Sequence, residues 1–185
     1  MNAIFRAAAE VEAICRAADF KFCFIGGLAV QRWGQPRMTA DVDVTVVTGF
    51  GTEEPFVDTL LAKLAPRITD AREFALRNRT LLVAASNGIH VDVSLGALSF
   101  EEHAVERASS YALALGVAVT TCCAEDLIVH KAFAGRDKDW LDIHGIVVRQ
   151  GAKLERDVIW AELLPLLALR DDVETEPRLR GMLEP

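Results

Sequence analysis

The sequence predicts an α/β (α+β) chain: a small mixed β-sheet packed with helices, followed by a C-terminal helical segment. Three observations predict it. Apolar and polar residues alternate in Val42 to Val47 and in Ile89 to Leu95, the two-residue period of half-buried strands. Asn87-Gly88 separates two apolar runs, the strongest short hairpin signal, because both residues tolerate positive φ. The last third carries apolar residues at helical spacing instead.

Taken in order, Asn2 to Ala18 reads as a helix, with Ile4, Ala8, Val11 and Cys15 at spacings of three and four. Lys21 to Ile25 is a short strand ending in Gly26-Gly27, and Leu28 to Trp33 a buried helix stopped by Gly34-Gln35-Pro36. Val42 to Val47 is a strand rich in β-branched residues. Glu53 to Leu64 returns to helical spacing and closes at Pro66. The hairpin of Arg79 to Ala85 and Ile89 to Leu95 follows, then a helix near Ser99 to Ala108 and a strand near Leu115 to Thr120. Tyr111 to Ala118, the longest apolar run, suits a buried strand. Helices over about 124–134, 137–149 and 155–169 complete the chain. This divides it into a sheet core over residues 1–120, a helical segment of the same domain over 121–170, and an acidic mobile tail over 171–185.

A length of 185 residues allows one full domain. Its 51% hydrophobic and 25% charged residues exclude disorder and low complexity. No apolar run approaches the roughly 18 to 20 residues that cross a bilayer, so no membrane role is expected. Met1 to Arg6 is soon followed by Glu10 and Glu12, which suits neither a secretory signal nor a transit peptide. A cytoplasmic protein is expected. The net charge of −7 disfavours long duplex DNA, whose binding rests on phosphate neutralisation. Arg67, Arg72, Arg77 and Arg79 form the densest basic stretch and read as a solvated face. The cysteines, Cys15, Cys23, Cys122 and Cys123, have neither zinc nor disulfide-framework spacing and read as buried thiols.

The chemistry concentrates around residues 24–44. On the strand there, Val42, Val44 and Val46 share one face, while Asp41 and Asp43 share the other. Two carboxylates so placed repel each other, and a divalent cation is their natural occupant. The plainer reading is an edge strand with a solvated face. Two features weigh against it. Asp92 stands on the polar face of a second alternating strand, and three such acids suit a two-metal phosphoryl-transfer site. Gly26-Gly27 lies between a strand and a helix N-terminus, where backbone amides can approach phosphate without a Cβ in the way.

These blocks resemble the DNA polymerase β-like nucleotidyltransferase superfamily, whose signature is Gly-(Gly/Ser), a spacer, Asp-h-Asp (h hydrophobic) and a later hydrophobic-Asp-hydrophobic. Here they are Gly26-Gly27, thirteen intervening residues, Asp41-Val42-Asp43 and Val91-Asp92-Val93. Arg37-Met38-Thr39 before the first acids is similar to the bacterial minimal and abortive-infection toxin-type branch. So are Glu125-Asp126-Leu127 with Lys131, and Gly135-Arg136-Asp137-Lys138-Asp139. The resemblance spans residues 22–146.

It implies the nucleotidyltransferase fold and a residue-by-residue set of roles. Asp41 and Asp43 would hold Mg²⁺ or Mn²⁺, and Asp92 would complete a second metal site or take the acceptor proton. Gly26 and Gly27 would cradle phosphates, and Lys131 would neutralise triphosphate or departing pyrophosphate. Arg37 and Thr39 divide evenly between phosphate contact and loop architecture. Arg136, Asp139 and Asp142 have spacings that favour intrahelical ion pairs. His90 lies on the presumed site face in a peripheral hydrogen-bonding role, and Trp33, Trp140 and Trp160 read as core or subunit contacts.

The expected activity is Mg²⁺-dependent transfer of a nucleoside monophosphate from an NTP (ATP among them) to a hydroxyl, with release of pyrophosphate. The acceptor would be a protein, a tRNA end or a small molecule, and the acidic composition favours a protein or small molecule. A toxin–antitoxin role with a cognate antitoxin, or a homodimer, follows from the resemblance alone. The alternatives are a non-catalytic nucleotide-binding or antitoxin-like regulatory protein of the same fold, and an unrelated metal-dependent hydrolase using the same acids.

Overall fold

The computed structural model describes residues 2–114 and 116–184. They form two compact units: one runs to Leu28 and resumes from Met38 to Cys122, and the other comprises Ala29–Arg37 and the chain from Cys123 onward. The second unit therefore includes residues 29–37, which the expected division at residue 120 had left in the sheet core.

The first unit begins with helix α1 (Ala3–Ala17), capped where the Asn2 side chain accepts from the Ile4 N–H at 3.0 Å. Its sheet has seven strands: β1 (Phe22–Phe24), β2 (Asp41–Val47), β3 (Ala65–Pro66), β4 (Thr80–Ala84), β5 (His90–Gly96), β6 (Ser109–Ala114) and β7 (Val117–Thr121). They lie in the order β3-β4-β5-β2-β1-β7-β6. β2 and β5 are parallel, as are β1 and β7, and the remaining pairs are antiparallel. The mixed sheet is as the alternation predicted. The hairpin forms at Asn87-Gly88, with Gly88 at φ +80°.

One sheet face makes the core. Val42, Val44 and Val46 of β2, Val91, Val93 and Leu95 of β5, and Leu81 and Val83 of β4 pack with Ile4, Ala8, Val11 and Cys15 of α1. Val57 and Leu60 of α3 (Glu54–Leu61) and Ala71 and Ala75 of α4 (Ala71–Asn78) join them. Helix α5 (Ser99–Glu106) contacts β2, and the Glu101 carboxylate accepts from the Ala97 and Leu98 N–H groups ahead of it.

Two expectations change here. The run from Tyr111 to Ala118 is not one buried strand. Ala114 pairs with Val117 in a hairpin, and β6 is a half-exposed sheet edge because β7 alone pairs with it. Leu115, the expected start of the later strand, lies outside the described residues. The basic stretch is not a plain solvated face either: it contains α4, and Arg79 bonds to Glu53, to the Leu95 carbonyl and to the Gly49 carbonyl.

The second unit holds most of α2 (Gly26–Trp33), then α6 (Ala124–Ala134), α7 (Asp137–Gln150), a 3₁₀ turn (Gly151–Lys153), α8 (Arg156–Ala168) and α9 (Thr175–Leu183). Leu127, Ile128, Ile143, Ile146, Ile159 and Leu163 are fully buried. Within the stretch expected as a mobile tail α9 forms, with Leu179 and Leu183 buried and its start held by Asp172, which accepts from the Thr175 N–H at 3.0 Å. An apolar step of four residues is what that acidic segment hides. Among the described residues, no helix is long and apolar enough to cross a membrane.

Candidate active site

The face of β2 opposite the core carries Asp41 and Asp43, and parallel register sets Asp41 beside His90 and Asp43 beside Asp92. The three carboxylates thus share one face on two adjacent strands, because the valines between them claim the other. The row continues across the sheet. Asp92 pairs with Leu82 of β4, and the Leu82 carbonyl accepts from the Arg67 N–H at 3.1 Å, just past β3. Arg67 Nη1 then donates to Asp92 Oδ1 at 2.6 Å.

On the other side of the row lies the glycine turn. Ile25 N–H donates to the Asp43 carbonyl at 3.0 Å, and Gly26 starts α2 in the left-handed region at φ +57°. A Cβ on Gly26 would stand 1.9 Å from Asp43 Oδ2, and one on Gly27 would stand 2.4 Å from Thr39 Oγ1. Only bare backbone admits both side chains. Thr39 Oγ1 in turn donates to Asp41 Oδ1 at 3.0 Å, which orients that carboxylate. Gly26, Gly27, Thr39, Asp41, Asp43 and Asp92 are therefore assembled in one unit, with Arg67 added. Sequence reasoning missed Arg67, since its approach to Asp92 depends on which strand lies between them.

Arg37 and Lys131 are placed differently. Both belong to an ion network in the second unit that centres on two buried aspartates. Lys131, 5% exposed, holds Asp139 at 3.0 Å and Asp142 at 2.6 Å. The Arg37 guanidinium forks onto both Asp142 oxygens at 2.8 Å, and Arg136 Nε donates to Asp139 Oδ2 at 2.6 Å. Burial alone would raise the pKa of both aspartates. Hydrogen bonds from Arg136 and Lys131 to Asp139, and from Arg37 and Lys131 to Asp142, outweigh it and hold both below the usual carboxylate range. The i, i+3 ion pair expected between Arg136 and Asp139 is present.

The donor set on the sheet face suits a hard cation. Asp41 and Asp43 offer carboxylate oxygens only, and Mg²⁺ takes one or two such ligands and completes its shell with water and substrate phosphate. Among the described residues, no three His, Cys, Asp or Glu side chains are drawn into a ready cage. Asp92 instead faces Arg67. The residues fit a cation that arrives with phosphate.

The model of a family described as "Nucleotidyltransferase of unknown function (DUF6036)" matches residues 2–156. No curated protein matches the chain. Among solved structures, an antigenic nucleotidyltransferase-like protein from Paracoccidioides brasiliensis is similar at 14% identity and TM-score 0.54, over 98% of this chain and 92% of that one. The antibiotic-resistance factor ANT(2'')-Ia is similar at 14% identity and TM-score 0.56, over 90% and 95%. At that identity the two structures speak for the fold.

Proposed function

The chain belongs to this nucleotidyltransferase family, and on that premise we propose a Mg²⁺- or Mn²⁺-dependent transferase that moves an NMP from an NTP to a hydroxyl. One observation carries the reading: Asp41, Asp43 and Asp92 share a sheet face, with Asp43 and Asp92 direct neighbours in parallel register. In the reaction the acceptor oxygen bonds to the α-phosphorus, the bond to the β-phosphate bridging oxygen breaks, and pyrophosphate leaves with that electron pair. Asp41 and Asp43 would hold the cation, which when bound supplies positive charge against the transferring phosphoryl group. Thr39 fixes the Asp41 carboxylate for that task, and the Gly26 turn fixes Asp43. The same turn opens α2, whose first amides are available to phosphate oxygens. Asp92 completes the acidic row, as a ligand or as the group that takes the acceptor proton.

Arg37 and Lys131 we assign to the ion network of the helical unit, where both pair with Asp142. The net charge of −7 supports a protein hydroxyl or a small molecule as acceptor over long nucleic acid. Mass spectrometry of the protein and of a cell lysate, each incubated with Mg²⁺ and the four NTPs in turn, tests the proposal. A product heavier by one nucleoside monophosphate, with pyrophosphate released, is expected. Free NMP or phosphate without a modified acceptor would make the chain a hydrolase, and unconsumed NTP would make it a binding protein.

A further inference from the structure

The Arg67–Asp92 pair is odd for a structural contact. The backbone of Arg67 is already tied to β4 through the Leu82 carbonyl, and Ile68 packs on the core, so the strand end needs no ion pair to stay in place. Both side chains stay open to water, at 23% and 37% exposure, where such pairs add little stability. The pair does occupy an acid of the proposed cation site. A carboxylate neutralised by a guanidinium at 2.6 Å attracts a second cation less strongly.

We infer that Arg67 is a placeholder for the divalent cation, a positioning residue that keeps Asp92 neutralised until nucleotide arrives. This rests on the nucleotidyltransferase reading and adds a regulation to it. Without nucleotide, Arg67 balances one of three repelling carboxylates and lowers the affinity of the site for free metal. An NTP brings its own cation to Asp92 and offers phosphate oxygens that a guanidinium binds readily, so the Arg67 side chain can exchange partners. Its backbone anchor stays fixed, and only the side chain swings. Metal and nucleotide then bind cooperatively, each raising the affinity of the other.

The test is Mn²⁺ titration, followed by electron paramagnetic resonance, of full-length wild type and Arg67→Gln. Each is measured in the Asp92-containing and Asp92→Asn backgrounds, with and without a non-hydrolysable analogue of each NTP. Arg67→Gln should raise nucleotide-free Mn²⁺ affinity roughly tenfold, the lower end of what an adjacent opposite charge does to a carboxylate. In the Asp92→Asn background that gain should vanish. Arg67→Lys, which keeps the charge and loses the guanidinium, should give a smaller gain and covers the case in which Arg67→Gln does not fold. Unchanged affinity in both Arg67 variants, or a gain that persists without the Asp92 carboxylate, overturns the placeholder and leaves the parent reading standing. Wild type that takes up no Mn²⁺ even with nucleotide analogue overturns both.

Discussion

The two charged clusters of this chain use the same residue types to opposite ends. On the sheet face, Asp41, Asp43 and Asp92 are half-buried, and their contacts include a threonine hydroxyl, a glycine turn and an exposed ion pair with Arg67. In the helical unit, Asp139 and Asp142 are buried and met by Arg37, Lys131 and Arg136, so that cations outnumber acids. The first cluster lines up three acids on a half-exposed sheet face, where like charges repel. The second gives each buried acid two cationic partners, and its worth lies in staying intact. Charge count and burial, rather than residue identity, separate a site from a strut.

The same substitution, aspartate to asparagine, should have opposite consequences in the two clusters. Asp43→Asn keeps shape and removes charge from the open row. Nucleotide transfer should fall on the order of a thousandfold or more, as when a main electrostatic stabiliser is lost, while the melting temperature holds or rises with relief of repulsion. Asp142→Asn should do the reverse to stability. It leaves the buried Lys131 under-neutralised, at a cost of about 3 kcal/mol or more. Thermal melts and NTP turnover on both variants decide it. A destabilised Asp43→Asn, or an Asp142→Asn as stable as wild type, would erase the distinction.

A substitution that adds no charge sharpens the first half. Gly26→Ala places a methyl where Asp43 Oδ2 now lies and forces a side chain into φ +57°. The backbone strain costs about 1–2 kcal/mol. Displacing Asp43 by an ångström should cost about a hundredfold in transfer. Turnover near the wild-type rate would mean that the position of Asp43 is not set by the glycine turn.

The open cluster was largely legible in the sequence and the closed one was not. Alternation of Val42, Val44 and Val46 with Asp41 and Asp43 is a local property, so face and partner acid could be read before any contact was known. Asn87-Gly88 marked its hairpin for the same reason. The Gly26 turn was legible as a turn, but not its close fit to Asp43. Helix α4 escaped because its fully buried residues, Ala71 and Ala75, are small, and charged or polar Arg72, Glu73, Arg77 and Asn78 make up half of it. β6 and β7 merged because an unbroken apolar run hides the reversal between them. Arg67, Arg37 and Lys131 depend on pairings separated by 25, 105 and 8 residues or more, and a motif places such residues without saying what they touch.

The smallest effect is also the one that separates a charged strut from a merely packed one. Asp142 faces Arg37 and Lys131, with Asp139 and Arg136 beside Lys131, and its pKa lies below the unfolded value. A depressed carboxylate stabilises the fold fully above its unfolded pKa, about 3.9, and loses that contribution as pH falls through the lower folded-state value. Other acids with lowered pKa, Glu53, Asp58 and Asp172, also respond to acid, so the wild-type curve alone cannot isolate the network. The difference between wild type and Asp142→Asn can. At pH 6 the wild type should lead by its full margin in urea unfolding. As pH drops below about 4 the margin should narrow, because a protonated Asp142 and an asparagine present nearly the same neutral group to Arg37 and Lys131. If the margin stays constant between pH 6 and 3, Asp142 contributes through shape alone, and the contrast between open and closed clusters loses its electrostatic basis.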